Sequence, residues 1–294
     1  MKKLVDLYCD VDDFCKIFIP QWQKQRLEDG TRKRQRECRM TMSEIMTIVI
    51  SFHMSHYRDF KNYYLGYVSL FYKKDFPTPL SDTRFLEVMP RAISPMCAYF
   101  TLLKGKPTGV EFIDSTTLEV CHNIRIPRHK TFDGIAQRGK GTMGWFYEFK
   151  LHIIVNYKGE IVAAKVTTGN VHNTQPIAEL ARGLSDKLYG DKGYLSKALE
   201  EKLFDKGVKL ITTVRKNMKA KAMPLCDREM LSKRFIIETI NEQLKNISFI
   251  EHSRHSSTNG FMLNLMAELV AYCLKENKSS LKLSDLELNA MVFA

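Results

Sequence analysis

The hydrophobic period of this chain changes once, near residue 105, and that change restricts the fold more than any other feature. Before it, apolar residues recur at helical spacing: Leu4, Leu7, Tyr8 and Val11, then Ile45, Ile48, Val49 and Phe52. Thr41-Met-Ser-Glu44 supplies a cap for the second of these helices. The run Phe76-Pro-Thr-Pro-Leu-Ser-Asp-Thr83 breaks the pattern, which resumes from Arg84 to about Leu103. Beyond residue 105 the spacing predicts strands over 110–113, 145–155 and 160–166, the last two joined by the turn signal Asn156-Tyr-Lys-Gly159. A helix over 174–184, a strand over 187–190, a helix over 196–206, a strand over 209–214 and a helix over 228–245 complete the series. With 294 residues, 44% of them hydrophobic, the chain can bury a core for such a domain beside a smaller one.

Strand, hairpin of strands, helix, strand, helix, strand, helix is the order of an RNase H-like α/β domain: a mixed sheet flanked by helices, here after an α-helical N-terminal region. The expected division is 1–104 for the helical region, 105–275 for the α/β domain and 276–294 for a tail. Three acids stand out in that frame. Asp114 follows the apolar run Val110 to Ile113, Asp191 lies in Tyr-Gly-Asp-Lys-Gly-Tyr194, and Glu238 lies on the last helix among isoleucines. Carboxylates at the ends of buried strands are costly unless compensated, and divalent cations are the usual compensation. In the RNase H order the first and fourth strands are neighbours, so Asp114 and Asp191 meet at their carboxyl ends, where open α/β sheets bind ligands. Gly190 and Gly193, lacking a Cβ, are expected to let a nucleic-acid backbone approach Asp191.

Charge points to a polyanionic partner. Forty-five Lys and Arg against 33 Asp and Glu leave a formal +12, which favours nucleic acid before membrane. The basic stretch from Lys24 to Arg39 reads either as a DNA arm or as a solvated linker. Seven cysteines without a CxxC pair support neither a disulfide framework nor a zinc ribbon and fit a reducing cytoplasm. Apolar runs stop short of the roughly 18 to 20 residues that span a bilayer, so no membrane association and no export are expected.

The motifs Ile-Asp114-Ser-Thr, Gly-Asp191-Lys-Gly-Tyr and Arg234, three residues, Glu238, six residues, Lys245 resemble, in this order, the DDE transposases of small bacterial insertion sequences with a Tyr-Arg-Glu-Lys signature. Gly144-Trp-Phe-Tyr-Glu-Phe-Lys-Leu-His152 resembles the family's second-strand segment, and Leu231 stands where its tyrosine would fall. The resemblance implies metal-dependent cleavage at transposon ends and strand transfer by 3′-hydroxyl attack on target DNA. It implies two Mg²⁺ or Mn²⁺ ions, Asp114 bridging both and Asp191 and Glu238 holding one each. It also implies a bacterial, nucleoid-associated protein acting on terminal inverted repeats and target DNA, a homodimer being the economical way to handle two ends. A related nuclease without strand transfer and an inactive DNA-binding relic are the alternatives.

Several polar residues are expected to touch DNA. Arg215, Lys216, Asn217, Lys219 and Lys221 follow the fifth strand and would grip phosphates. Arg234 and Lys245 share a helix face with Glu238. Lys150 and His152 alternate along the second strand and would contact DNA if their face is that of the active site. The N-terminal helices are expected to recognise the inverted repeats or to serve packing and dimerisation.

Overall fold

The computed structural model describes residues 4–30, 38–55, 57–141, 144–213, 218, 223–247 and 257–283. The chain forms two compact units, Met1–Leu103 with Leu244–Glu276, and Lys104–Gln243 with Asn277–Ala294.

The first unit is helical. Helix α1 (Leu4–Glu28) buries Leu7, Val11 and Cys15, a stripe at helical spacing. Helix α2 (Met42–Met54) starts on a complete capping box: Thr41 accepts from the Glu44 N–H at 3.1 Å, and the Glu44 carboxylate accepts from the Thr41 N–H at 2.6 Å. Helix α3 (Asp82–Val88), capped by Ser81, and helix α4 (Ile93–Leu103) follow the expected proline-bearing break.

The second unit is a six-stranded mixed sheet: β1 (Val110–His122), β2 (Gln137–Gly141), β3 (Gly144–Asn156), β4 (Ile161–Thr168), β5 (Asp186–Gly190) and β6 (Val208–Thr212). The strands run β4-β3-β1-β5-β6, antiparallel up to β1 and parallel from β1 to β6, while β2 pairs with the first half of β3. This is the RNase H-like order expected from the sequence. The β3–β4 hairpin closes where its turn signal lies. Asn156 Oδ1 accepts from the N–H groups of Lys158 and Glu160, both at 3.0 Å, and Gly159 takes a positive φ of 75° that favours glycine.

Helices cover both faces of the sheet. On one, Ile113, Ile154, Leu188 and Val208 pack with α5 (Ile177–Leu180) and α6 (Lys197–Phe204). On the other lie Phe112 and Tyr189, whose rings are 5.6 Å apart, together with α7 (Leu225–Ser232) and α8 (Phe235–Glu242).

The structure corrects several boundaries. Strand β1 continues nine residues past Ile113, because the β-branched Thr116 and Thr117 suit a ladder and β3 pairs with it as far as His122. Strand β2 is an addition that its Gly- and Arg-containing sequence does not announce. The helix expected over 174–184 is helical only across Ile177–Leu180. The helix expected over 228–245 is broken at Lys233, where the Ser232 hydroxyl turns back to the Glu229 carbonyl at 2.6 Å and competes with the helical ladder. Helix α9 (Thr258–Cys273) belongs to the first unit, not to the α/β domain: it is buried on nearly every side and packs on α2 and α4. There the His53 Nδ1 stands 3.0 Å from Glu268 Oε2, both side chains buried. Among the described residues the cysteines are free, and no helix is long and apolar enough to cross a membrane.

Candidate active site

The parallel register of β1 and β5 sets two of the acids side by side. Val110 faces Lys187, Glu111 faces Leu188 and Phe112 faces Tyr189; two residues further along each chain stand Asp114 and Asp191. Asp114 is therefore not at the end of its strand, since β1 runs on along β3 after β5 has stopped. Its neighbour on β3 is Ile153, so its side chain belongs to the face covered by α7 and α8.

Asp191 caps a short 3₁₀ turn, Lys192–Tyr194, and its Oδ1 accepts from the Gly193 N–H at 2.9 Å. A Cβ on Gly193 would sit 2.9 Å from that same oxygen, and one on Gly190 3.1 Å from the Tyr194 ring and 3.2 Å from Ile113. These glycines make room for the protein's own groups. Tyr194 is fully buried against Ser115 and the two aspartates, and burial raises its phenol far above the ordinary range.

Helix α8 and its first flanking residue present three polar residues on one face, of which Arg234 and Asn241 reach Asp114. Arg234, Glu238 and Asn241 are spaced i, i+4 and i+7, while Ile236, Ile237 and Ile240 are buried in the core beneath. The Asn241 Nδ2 donates to Asp114 Oδ2 at 2.9 Å. The Arg234 guanidinium lies between two acids, with Nη2 3.9 Å from Asp114 Oδ1 and Nη1 3.6 Å from Glu238 Oε1. Asp114 is only 22% exposed at its side chain, whereas Glu238 is 60% exposed. Burial pushes the Asp114 carboxyl up to about 6; the Ser115 N–H and Arg234 act against this, Asp191 adds to it, and Asn241 opposes it last.

The donor set suits a hard divalent cation: three carboxylates, one raised by burial and short of positive charge, and a buried amide oxygen, Asn241 Oδ1, without a partner among the described residues. Among those residues no three acidic, histidine or cysteine side chains already stand in ligating proximity. Arg234 supplies positive charge between the first and third acids.

The other expected site residues fare differently. His152 pairs across the ladder with Ser115 and Lys150 with Thr117, so both lie on the face opposite Asp114. His152 is fully buried and bonds Thr167 Oγ1 at 2.9 Å; burial, then Lys150 and Lys165, lower its pKa to about 4. Lys150 donates to the Val171 carbonyl at 3.1 Å. The condition attached to their expected DNA contact, a shared face with the acids, is not met, because β1 selects the face that the alternation along β3 leaves open. Lys245 lies in the π turn Gln243–Ile247, in the helical unit. Arg215, Lys216, Asn217, Lys219 and Lys221 lie outside the described residues. Asn241, not singled out from the sequence, is the functional candidate the structure adds; its place three residues after Glu238 on one helix face was the available signal.

Comparison with curated proteins found no match. Among solved structures the chain is similar to a piggyBac transposase seen in a synaptic complex with hairpin DNA, at 9% identity and a TM-score of 0.43, over 88% of this chain and 73% of that one. The family described as transposase DDE domain matches residues 104–258, just over half of the chain and the whole span that carries Asp114, Asp191 and Glu238. This chain belongs to the transposase DDE domain family.

Proposed function

We propose that the protein is the DNA transposase of an insertion sequence and that Asp114, Asp191 and Glu238 hold its divalent cations. The observation that carries the proposal is the convergence of β1, β5 and α8 on Asp114: Asp191 beside it in the parallel register, and Glu238 linked to it through Arg234. Two Mg²⁺ or Mn²⁺ ions, when bound, would make the attacking hydroxyl more acidic and stabilise the leaving oxygen of the scissile phosphate. Asp191 and Asp114 are each held by a backbone or side-chain hydrogen bond of 2.9 Å, so they would define the fixed part of the site. Glu238, on the solvent side and ion-paired with Arg234, would supply the third carboxylate. The Arg234 guanidinium would suit a phosphate, which such a group can bind in a bidentate fashion.

The net charge of +12 supports DNA as the partner. The segment holding Arg215, Lys216, Asn217, Lys219 and Lys221, together with Lys245, grips phosphates in this reading, and the helical unit serves end recognition or dimerisation. Because such groups read charge and not bases, replacing Arg215, Lys216, Lys219 and Lys221 by Ala weakens binding to every sequence alike. The log-log salt slope becomes shallower by about 0.9 for each phosphate that is no longer neutralised. An unchanged slope would remove that segment from the interface.

The deciding experiment incubates the purified protein and Mg²⁺ with DNA carrying the element's own ends and a target plasmid. Cleaved ends joined to the target establish transposition chemistry. Cleavage without joining identifies a nuclease, and DNA binding without cleavage an inactive relic.

A further inference from the structure

We propose that Asn241 is a positioning residue for Asp114, fixing from helix α8 the orientation in which that carboxylate meets a cation. The inference rests on the reading of Asp114 as a cation ligand and adds to it a residue outside the acid triad.

Asn241 is 6% exposed, and the other buried residues of α8 are Ile236, Ile237 and Ile240. An amide in that company is unexpected, because a buried polar group left without a partner costs about 1–3 kcal/mol. Asn241 bears part of that cost, since its Oδ1 has no hydrogen-bond partner among the described residues. A leucine, branched at Cγ in the same way, would avoid it. What a leucine lacks is the Nδ2 donor, which holds Asp114 Oδ2 at 2.9 Å. Arg234 does not substitute for that donor, because it stands 3.9 Å from the other oxygen, an ion-pair and not a hydrogen-bond distance.

The bond spans the fold at a useful place. It ties strand β1, which carries the first acid, to helix α8, which carries the third, so it sets both the rotation of Asp114 and the station of Glu238 relative to it. One carboxylate oxygen of Asp114 is thereby held and the other remains on the Arg234 side. The Asn241 Oδ1, without a partner among the described residues, would be available as a further acceptor. Residues that orient a ligating carboxylate are worth about 10- to 100-fold in metal affinity.

The test is equilibrium Mn²⁺ binding to the full-length protein without DNA, followed by the electron paramagnetic resonance of free Mn²⁺. Wild type, Asp114→Ala, Asn241→Leu and Asn241→Ala are compared, alongside each variant's urea midpoint in the absence of Mn²⁺. Asp114→Ala loses binding, and both Asn241 variants weaken it about 10- to 100-fold, Asn241→Leu with a midpoint no lower than that of wild type. Either folded Asn241 variant binding within twofold of wild type overturns the role of Asn241 alone. Midpoints that fall in both Asn241 variants in step with the loss of Mn²⁺ binding make Asn241 an ordinary structural residue and also overturn it. Wild-type binding by Asp114→Ala, or none by the wild type, overturns the cation site itself.

Discussion

Two aspartates on the same side of the sheet are treated in opposite ways. Asp227, on α7, is almost fully buried and fully answered: Lys187 Nζ lies 3.1 Å and the Tyr189 hydroxyl 3.0 Å from its Oδ1, and Lys209 Nζ lies 3.7 Å from its Oδ2. Asp114 is more open, yet no ammonium among the described residues answers it. Its cation is a guanidinium at 3.9 Å shared with Glu238, and burial pushes its carboxyl up to about 6. A buried acid whose task is to join elements is given its own counter-charges. Asp114 is left short of them.

The contrast breaks first on activity. Asp114→Ala, Asp191→Ala and Glu238→Ala each lower cleavage of end-bearing DNA at least about a thousandfold, on the order of 4 kcal/mol in the barrier, as measured in single-turnover assays. Asp114→Asn loses cleavage equally but keeps a urea midpoint at or above that of wild type. A midpoint clearly below wild type would show Asp114 to be structural, like Asp227.

Next comes stability. Asp227→Ala leaves the Lys187 ammonium buried and unanswered, and a broken buried pair of this kind costs about 3–5 kcal/mol. Chemical denaturation monitored by fluorescence measures it. A loss below about 1 kcal/mol would mean that water reaches Lys187 and that the two aspartates differ less than the structure implies.

A pH titration sharpens the contrast. With the Asp114 carboxyl at about 6 in the cation-free protein, protons compete with cation below that pH. Mn²⁺ affinity is therefore level above pH 7 and falls about tenfold per unit below pH 6. A profile level down to pH 5 would contradict a cation held by this carboxylate.

The smallest effect concerns a third buried acid, Glu111, which is not placed at the site and has no ion pair among the described residues. Burial pushes it up to about 7, against the opposing N–H bonds of Thr108 and Gly109. Its folded pKa lies above its unfolded one, so its contribution to stability is complete below about 4.5 and is lost as pH rises through 7. Wild type then loses on the order of 1–3 kcal/mol across that window, and Glu111→Gln flattens the curve. An unchanged slope in urea denaturation at pH 5 and pH 8 would place the titration elsewhere.

Local residues made much of this fold legible. The helical period ends and the strand period begins close to residue 104, because each element must turn an apolar stripe or face to its own core. Asn156 and Gly159 specified the β3–β4 hairpin through a side-chain acceptor and a positive φ, both properties of single residues. What escaped was long-range. Strand β1 extends through Thr116 and Thr117 only because β3 is there to pair with it, and α9 falls in the helical unit, a placement hidden because an all-round apolar helix does not name its partner. The alternation of Lys150 and His152 gave them a common face, but the pairing of His152 with Ser115 made it the face away from Asp114.

The sequence alone thus determined the order of five of the six strands and the chemical nature of three acids, since period, turn residues and side-chain type are local properties. Tertiary structure decided what those acids meet. The β1–β5 register brings Asp191 to Asp114, and the helical face of α8 brings Arg234, Glu238 and the unannounced Asn241. Residues 114, 191 and 241 are far apart along the chain, and only burial of the isoleucines of α8 against the sheet makes neighbours of them.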